Sequence, residues 1–156
     1  MWDSAALERG LTQINSMRTT PWTDDAARYQ VLLDALNALL DSPDTRLAAY
    51  GTLAPGESNH AMLADVPGTW VAGTVQGVRF IANGYPAFVP RPGHDLVPVH
   101  VLTSTALPEH WARLDAFEGA DYRRILVPVS LGSGALLVAN LYEYIAPRAG
   151  GFARNR

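Results

Sequence analysis

The sequence predicts an α+β domain: a small mixed or antiparallel β-barrel flanked by a few helices, with an extra helical segment at the N-terminus. Three observations lead there. Apolar residues repeat at helical spacing before residue 46. Beyond it, short β-favouring runs alternate with Gly and Pro punctuation. The helices between those runs are too few for repeated βαβ units, so a small mixed or closed antiparallel barrel accounts for the pattern best.

Taken in order, Leu7, Leu11 and Ile14 mark a first helix from Ala5 to Ile14. Thr19-Thr20-Pro21 breaks it. Thr23 or Asp24 can cap a second helix that carries Ala26, Tyr29, Leu32, Leu33, Leu36, Leu39 and Leu40 along one side, and Ser42-Pro43-Asp44 ends it. Neither helix offers chemistry. Both read as packing elements and as candidates for a homodimer contact, with Trp22 placed to meet another subunit or a cavity lid. The chain thus divides into an extension (1–45), a barrel domain (46–146) and a loose tail (147–156).

Strands are expected at Leu47–Tyr50, Thr69–Val75, Val78–Ala82, Ala87–Val89, Val97–Leu102, Arg124–Val129 and Leu136–Ile145. Gly132-Ser133-Gly134 suits a hairpin turn between the last two. One helix interrupts them, from Pro108 to Phe117. Pro108 fits a first position that needs no donor, Trp111 and Leu114 point to the core with Ala112 and Ala116 nearby, and Gly119 stops the helix as a left-handed residue.

Composition narrows the chemistry. A chain of 156 residues, 48% hydrophobic and 17% charged, has the make-up of one globular domain. A net charge of −3 disfavours nucleic acid as a partner, and no apolar run approaches membrane-spanning length. Met1-Trp2-Asp3-Ser4 lacks the basic start of a signal peptide, so a cytoplasmic location is expected. There is no cysteine, and all 12 basic residues are arginine. Thiolate nucleophiles, zinc–thiolate sites and lysine Schiff bases are therefore excluded. His60, His94, His100 and His110 are scattered without metal-ligand spacing, so neither a metal nor a cofactor is expected.

Three segments remain as candidates. Tyr50-Gly51-Thr52-Leu53 follows an apolar strand, and a strand opening into a glycine loop frees consecutive backbone N–H groups that can hold a carboxylate or an oxyanion. Leu114-Asp115-Ala116-Phe117-Glu118-Gly119 closes the short helix. There the negative end of the helix dipole and burial beside Phe117 would both raise the Glu118 pKa, which suits a group that takes and returns a proton near neutrality. Asp115 reads as a structural hydrogen-bonding partner that holds the adjoining loop. Tyr85-Pro86-Ala87 follows Asn83-Gly84, and Pro86 would fix Tyr85 as a pocket wall.

Together these segments resemble the gamma-glutamylcyclotransferase-like family. The resemblance is carried by Tyr50-Gly51-Thr52-Leu53, then Gly56, Asn59 and His60, Tyr85-Pro86-Ala87, Leu114-Asp115-x-Phe117-Glu118, Tyr122-x-Arg124 and Tyr142, in that order. The short branch that includes gamma-glutamylamine cyclotransferases is the most similar, and the match runs from about Leu47 to Ile145. The resemblance implies a barrel with a cavity at one end and Glu118 as the acid–base residue. Tyr50, Gly51, Thr52, Leu53, Tyr85 and Tyr142 would bind a small gamma-glutamyl compound. The implied reaction is an intramolecular aminolysis that releases 5-oxoproline and an amine or amino acid. The alternative is a non-catalytic binding or interaction module on the same barrel, which would have no need of a proton-transfer carboxylate at Glu118. Two features depart from the family pattern. Residues before 46 lie outside it, and Val97-Pro98-Val99-His100-Val101 lacks the glycine–acid pair of many relatives, which raises His100 as a cavity-facing group.

Overall fold

A computed structural model describes residues 4–19 and 39–146. The expected second helix as far as residue 38, the Trp22 contact and the tail from 147 lie outside the described residues. The elements are α1 (Ser4–Thr19), β1 (Arg46–Ala49), β2 (Thr69–Ala82), β3 (Tyr85–Pro90), β4 (Leu96–Thr103), α2 (Trp111–Glu118), β5 (Tyr122–Leu131) and β6 (Leu136–Tyr144). The strands pair in the order β3-β2-β4-β1-β6-β5, and β5 returns to β2. Five strands thus close a mixed barrel, with β3 appended as a hairpin arm. Among the described residues, only β1 and β6 run parallel, meeting at Leu47 and Asn140; the other pairs are antiparallel.

Two expected strands, Thr69–Val75 and Val78–Ala82, are one continuous strand. β2 pairs with β4 as far as Gln76 and with β3 from Gly77 onward. The glycine marks a change of partner rather than an end. A Cβ at Gly77 would collide with the Phe88 ring and the Val89 carbonyl oxygen, so the hairpin arm can fold this closely only over a glycine. Asn83 and Gly84 both take positive φ, the pattern of a type I′ hairpin turn between β2 and β3. Gly134, also at positive φ, turns β5 into β6 as expected.

Strand alternation sorts the core into connected clusters. Val97, Val99 and Val101 of β4, Ile125, Val127 and Val129 of β5, and Ala139 and Leu141 of β6 fill the barrel with Phe88. Leu47 and Ala49 of β1 point the other way and pack with Leu53, Leu102, Trp111, Leu114 and Tyr142 beneath α2. Ala112 and Ala116, expected near this core, are exposed. Pro108 opens a 3-10 turn, Leu107–Glu109, and the α-helix itself starts only at Trp111.

α1 lies on the outside of the barrel. Leu7 and Leu11 are buried against Leu40, Leu126 and Val138, with Ile14 packed alongside. Since β2 and β5 pair only at Gly73–Leu131 and Thr74–Ser130, the backbone of Leu126 has no strand partner across the seam. Asn15 takes that place: its side chain accepts from the Leu126 N–H at 2.7 Å and donates to the Leu126 carbonyl at 2.9 Å. Asn15→Ala leaves both groups unpaired, which should cost about 1–3 kcal/mol. Hydrogen exchange at the Leu126 amide should accelerate more than at neighbouring β5 amides.

Candidate active site

A cavity of about 440 Å³ opens at one end of the barrel, and every residue expected at the site lines it: Tyr50, Gly51, Thr52, Leu53, Tyr85, Tyr142 and Glu118. They come from the end of β1, the start of β3, the end of α2 and the end of β6. The exposed residues Tyr85, Phe117 and Asp121 form its mouth, while buried Leu47, Ala49 and Leu53 form its floor.

The loop after β1 is polarised. The Gly51 carbonyl accepts from the Ala54 N–H at 3.0 Å, and the Thr52 carbonyl accepts from the Asn59 N–H at 2.9 Å. The Leu53 carbonyl meets His60 Nδ1 at 2.9 Å, and because a carbonyl only accepts, that nitrogen carries the proton. The Tyr50 carbonyl accepts from Arg79 Nε at 3.3 Å. All four carbonyls are thus engaged by the protein. Among the described residues, the N–H groups of Gly51, Thr52 and Leu53 have no protein acceptor. Asn59 steadies this arrangement further by donating its amide to Thr52 Oγ1 at 3.0 Å. A loop with its acceptors satisfied and its donors spare is suited to an anion or a developing oxyanion.

Glu118 is the last residue of α2. Gly119 follows at φ 79° and ψ −171°, a combination almost confined to glycine and distinct from the left-handed helical conformation expected. The chain therefore leaves the helix abruptly, with Glu118 half-buried against the cavity. Burial, and secondarily the negative charge of Asp115, pushes its carboxyl up from an ordinary 4.5 to about 7.

Asp115 does not reach the adjoining loop with its side chain. It accepts from the Tyr142 hydroxyl at 2.6 Å and from Arg124 Nε at 2.9 Å, while Arg124 stacks over the Trp111 ring at 4.4 Å. Tyr50 donates its hydroxyl to the Tyr142 carbonyl at 2.7 Å, and Tyr122 donates to the Pro86 carbonyl at 2.9 Å. Tyr122 thereby ties the start of β5 to the residue beside Tyr85. Burial first of all drives the pKa of Tyr50 and of Tyr142 upward, so both remain neutral phenols.

His100 is exposed on β4 and does not line the cavity. Asn59, Pro86, Phe117, Asp121 and Tyr122 do line it without having been singled out as site residues. Asn59 and Tyr122 carry the family resemblance in the sequence, but their hydrogen bonds to Thr52 and to the Pro86 carbonyl emerge only in the fold. Among the described residues, no cluster of three or more His, Asp or Glu could hold a metal ion, and no helix is long and apolar enough to cross a membrane.

A small mixed barrel closed in this strand order has the architecture of the gamma-glutamyl cyclotransferase-like domains. The family described as gamma-glutamyl cyclotransferase, AIG2-like, matches residues 47–154, and the chain belongs to it. Among solved structures, YkqA from Bacillus subtilis is similar at 28% identity and TM-score 0.53, over 64% of this chain and 35% of that one. The match therefore spans about a third of YkqA. An AIG2-like protein from Mus musculus shares the fold at 22% identity and TM-score 0.54, over 64% of this chain and 76% of its own. So does a protein from Arabidopsis thaliana, at 24% identity and TM-score 0.52, over 64% of this chain and 68% of its own. No curated protein matches the sequence significantly.

Proposed function

We propose that this chain is a gamma-glutamyl cyclotransferase, converting a small gamma-glutamyl compound into 5-oxoproline and a free amine or amino acid. One observation carries the reading: a carboxyl pushed up to about 7 shares one cavity with a run of spare backbone donors. In the proposed reaction, ionised Glu118 takes a proton from the substrate's α-amino group. The freed amine attacks the γ-carbonyl and closes a five-membered ring, the ring nitrogen sheds its surplus proton to water, and N–H groups of the Gly51–Leu53 loop hold the negative oxygen that develops. The carbon–nitrogen bond to the leaving amine then breaks, and Glu118 returns the proton to that amine. Because nucleophile and electrophile belong to one molecule, correct folding of the substrate alone can lower the barrier by about 7–11 kcal/mol. Tyr50, Tyr85 and Tyr142 serve as walls that impose the folded shape.

The test is to incubate the protein with a panel of gamma-glutamyl amines and peptides and to measure 5-oxoproline release against pH. Since the ionised carboxylate is the base, kcat/KM should climb as pH rises through about 7 and level off above it. Absence of 5-oxoproline across the panel would reject the reaction. Turnover with no rising limb near neutrality would reject Glu118 as its base.

A further inference from the structure

The phenol groups around the cavity have their protons already committed. A tyrosine oxygen carries one proton and can accept through its lone pairs. Tyr50 and Tyr122 each bond a backbone carbonyl, which can only accept, so each must be the donor. Tyr142 bonds Asp115, whose other partner is the Arg124 guanidinium; a carboxylate in that pairing also accepts, so Tyr142 donates as well. All three residues line the same cavity as Glu118. What their oxygens have left to offer a ligand is lone pairs alone.

The cavity is therefore sorted by hydrogen-bonding sense. The Gly51–Leu53 loop has N–H donors to spare, whereas the hydroxyls of Tyr50, Tyr122 and Tyr142 and the ionised Glu118 carboxylate, on residues lining the same cavity, have only lone pairs to spare. Among the described residues, no Arg or His lines it, so an anion has no cationic partner beside these acceptors. A group placed there must bring N–H bonds of its own, and a primary ammonium brings three. An alcohol or a methylene in the same place would leave acceptors unsatisfied in a partly buried wall.

The geometry points to Tyr122, together with Tyr50 and Tyr142, as an acceptor-only subsite that holds the α-ammonium of the ligand beside Glu118. This deepens the proposed cyclotransferase reading and rests on its placing of the glutamyl portion in the cavity. It adds Tyr122 as a binding residue and gives the three hydroxyls a common task, presenting the nitrogen to the carboxylate that deprotonates it. Each phenol has its pKa raised by burial in the first place, with the Glu118 charge among the further contributions, which agrees with their sharing one electrostatic environment.

An inert ligand pair separates binding from turnover. Methionine sulfone has the glutamyl backbone and a tetrahedral sulfone where the γ-carbonyl would lie, and it cannot cyclise. Its deamino analogue lacks only the ammonium. Titrated into the unmodified protein by calorimetry or NMR, methionine sulfone should bind at least about tenfold more tightly than the analogue. Tyr122→Phe should shrink that ratio several-fold by weakening the amine-bearing ligand alone. Equal binding of the pair, an equal loss for both ligands in Tyr122→Phe, or no binding of methionine sulfone up to millimolar concentration overturns the assignment. The first measurement needs no variant, so misfolding of Tyr122→Phe cannot rescue it. Ammonium selectivity without any 5-oxoproline from gamma-glutamyl compounds would reject the reaction and keep the subsite; 5-oxoproline formation with equal binding of the pair would do the reverse.

Discussion

Glu118→Gln should lower 5-oxoproline formation by about 10²–10⁴-fold, the usual range for removing a general acid–base group. The amide keeps the shape of the carboxyl but cannot shuttle the proton, so binding of an inert glutamyl analogue should persist. A second readout ties this effect to the environment of the group. The Glu118 carboxyl is harder to ionise in the folded chain than in the unfolded one. Its contribution to stability is therefore fully present below about pH 4.5 and is lost as pH rises through about 7. A tenfold change in protonation equilibrium is worth about 1.4 kcal/mol, which puts the whole loss at roughly 3 kcal/mol. Glutamine has nothing to lose. The variant should melt higher than the parent protein at pH 8, and the gap should close as the pH falls toward 4. A variant that is inactive yet no more stable at pH 8 would show that the Glu118 carboxyl is not held above its ordinary pKa in the folded chain. Retention of full activity would remove the mechanism altogether.

Gly77→Ala should lower stability by about 3 kcal/mol through a single added methyl group. The new Cβ meets the backbone carbonyl of Val89 as well as the Phe88 ring, and a ladder carbonyl cannot swing aside as a flexible side chain can. Phe88 is fully buried within the barrel core, so displacing its ring disturbs that cluster too. The consequence reaches the cavity, because the displaced strand β3 begins with Tyr85 and Pro86, and Pro86 carries the Tyr122 anchor. Denaturant melting should show a lowered midpoint, and 5-oxoproline formation should fall even where the variant remains folded. Gly132→Ala serves as the control, since nothing lies within 4 Å of a Cβ there and its φ is not in the left-handed range.

The parts of the site that were legible in the sequence are those encoded by consecutive residues. The glycine loop after an apolar strand and the glutamate before a helix-ending glycine each leave a local signature, and their order along the chain made the family resemblance readable. Partners set by folding left none. Tyr122 reaches Pro86 across 36 residues, Tyr142 reaches Asp115 across 27, and Asn15 reaches Leu126 across 111. Asp115 reads locally as a loop-holding residue, but β6 brings Tyr142 over it and the bond forms there instead. The split of β2 into two expected strands has the same origin, since Gly77 looks like punctuation until Phe88 is seen filling the space above it. His100 belongs to an alternating strand whose valines face inward, so its own side chain is turned outward.

The parallel pairing of β1 with β6 bears on how function arises during folding. Leu47 meets Asn140, so the first strand of the barrel has to wait for the last, and the loop that follows β1 gains its opposite wall only when Tyr142 arrives. Pairing between such distant stretches of chain exacts its entropy before returning any contact, which favours slow, all-or-none assembly. A half-built intermediate would possess neither wall of the hollow, so competence and nativeness emerge in the same cooperative event.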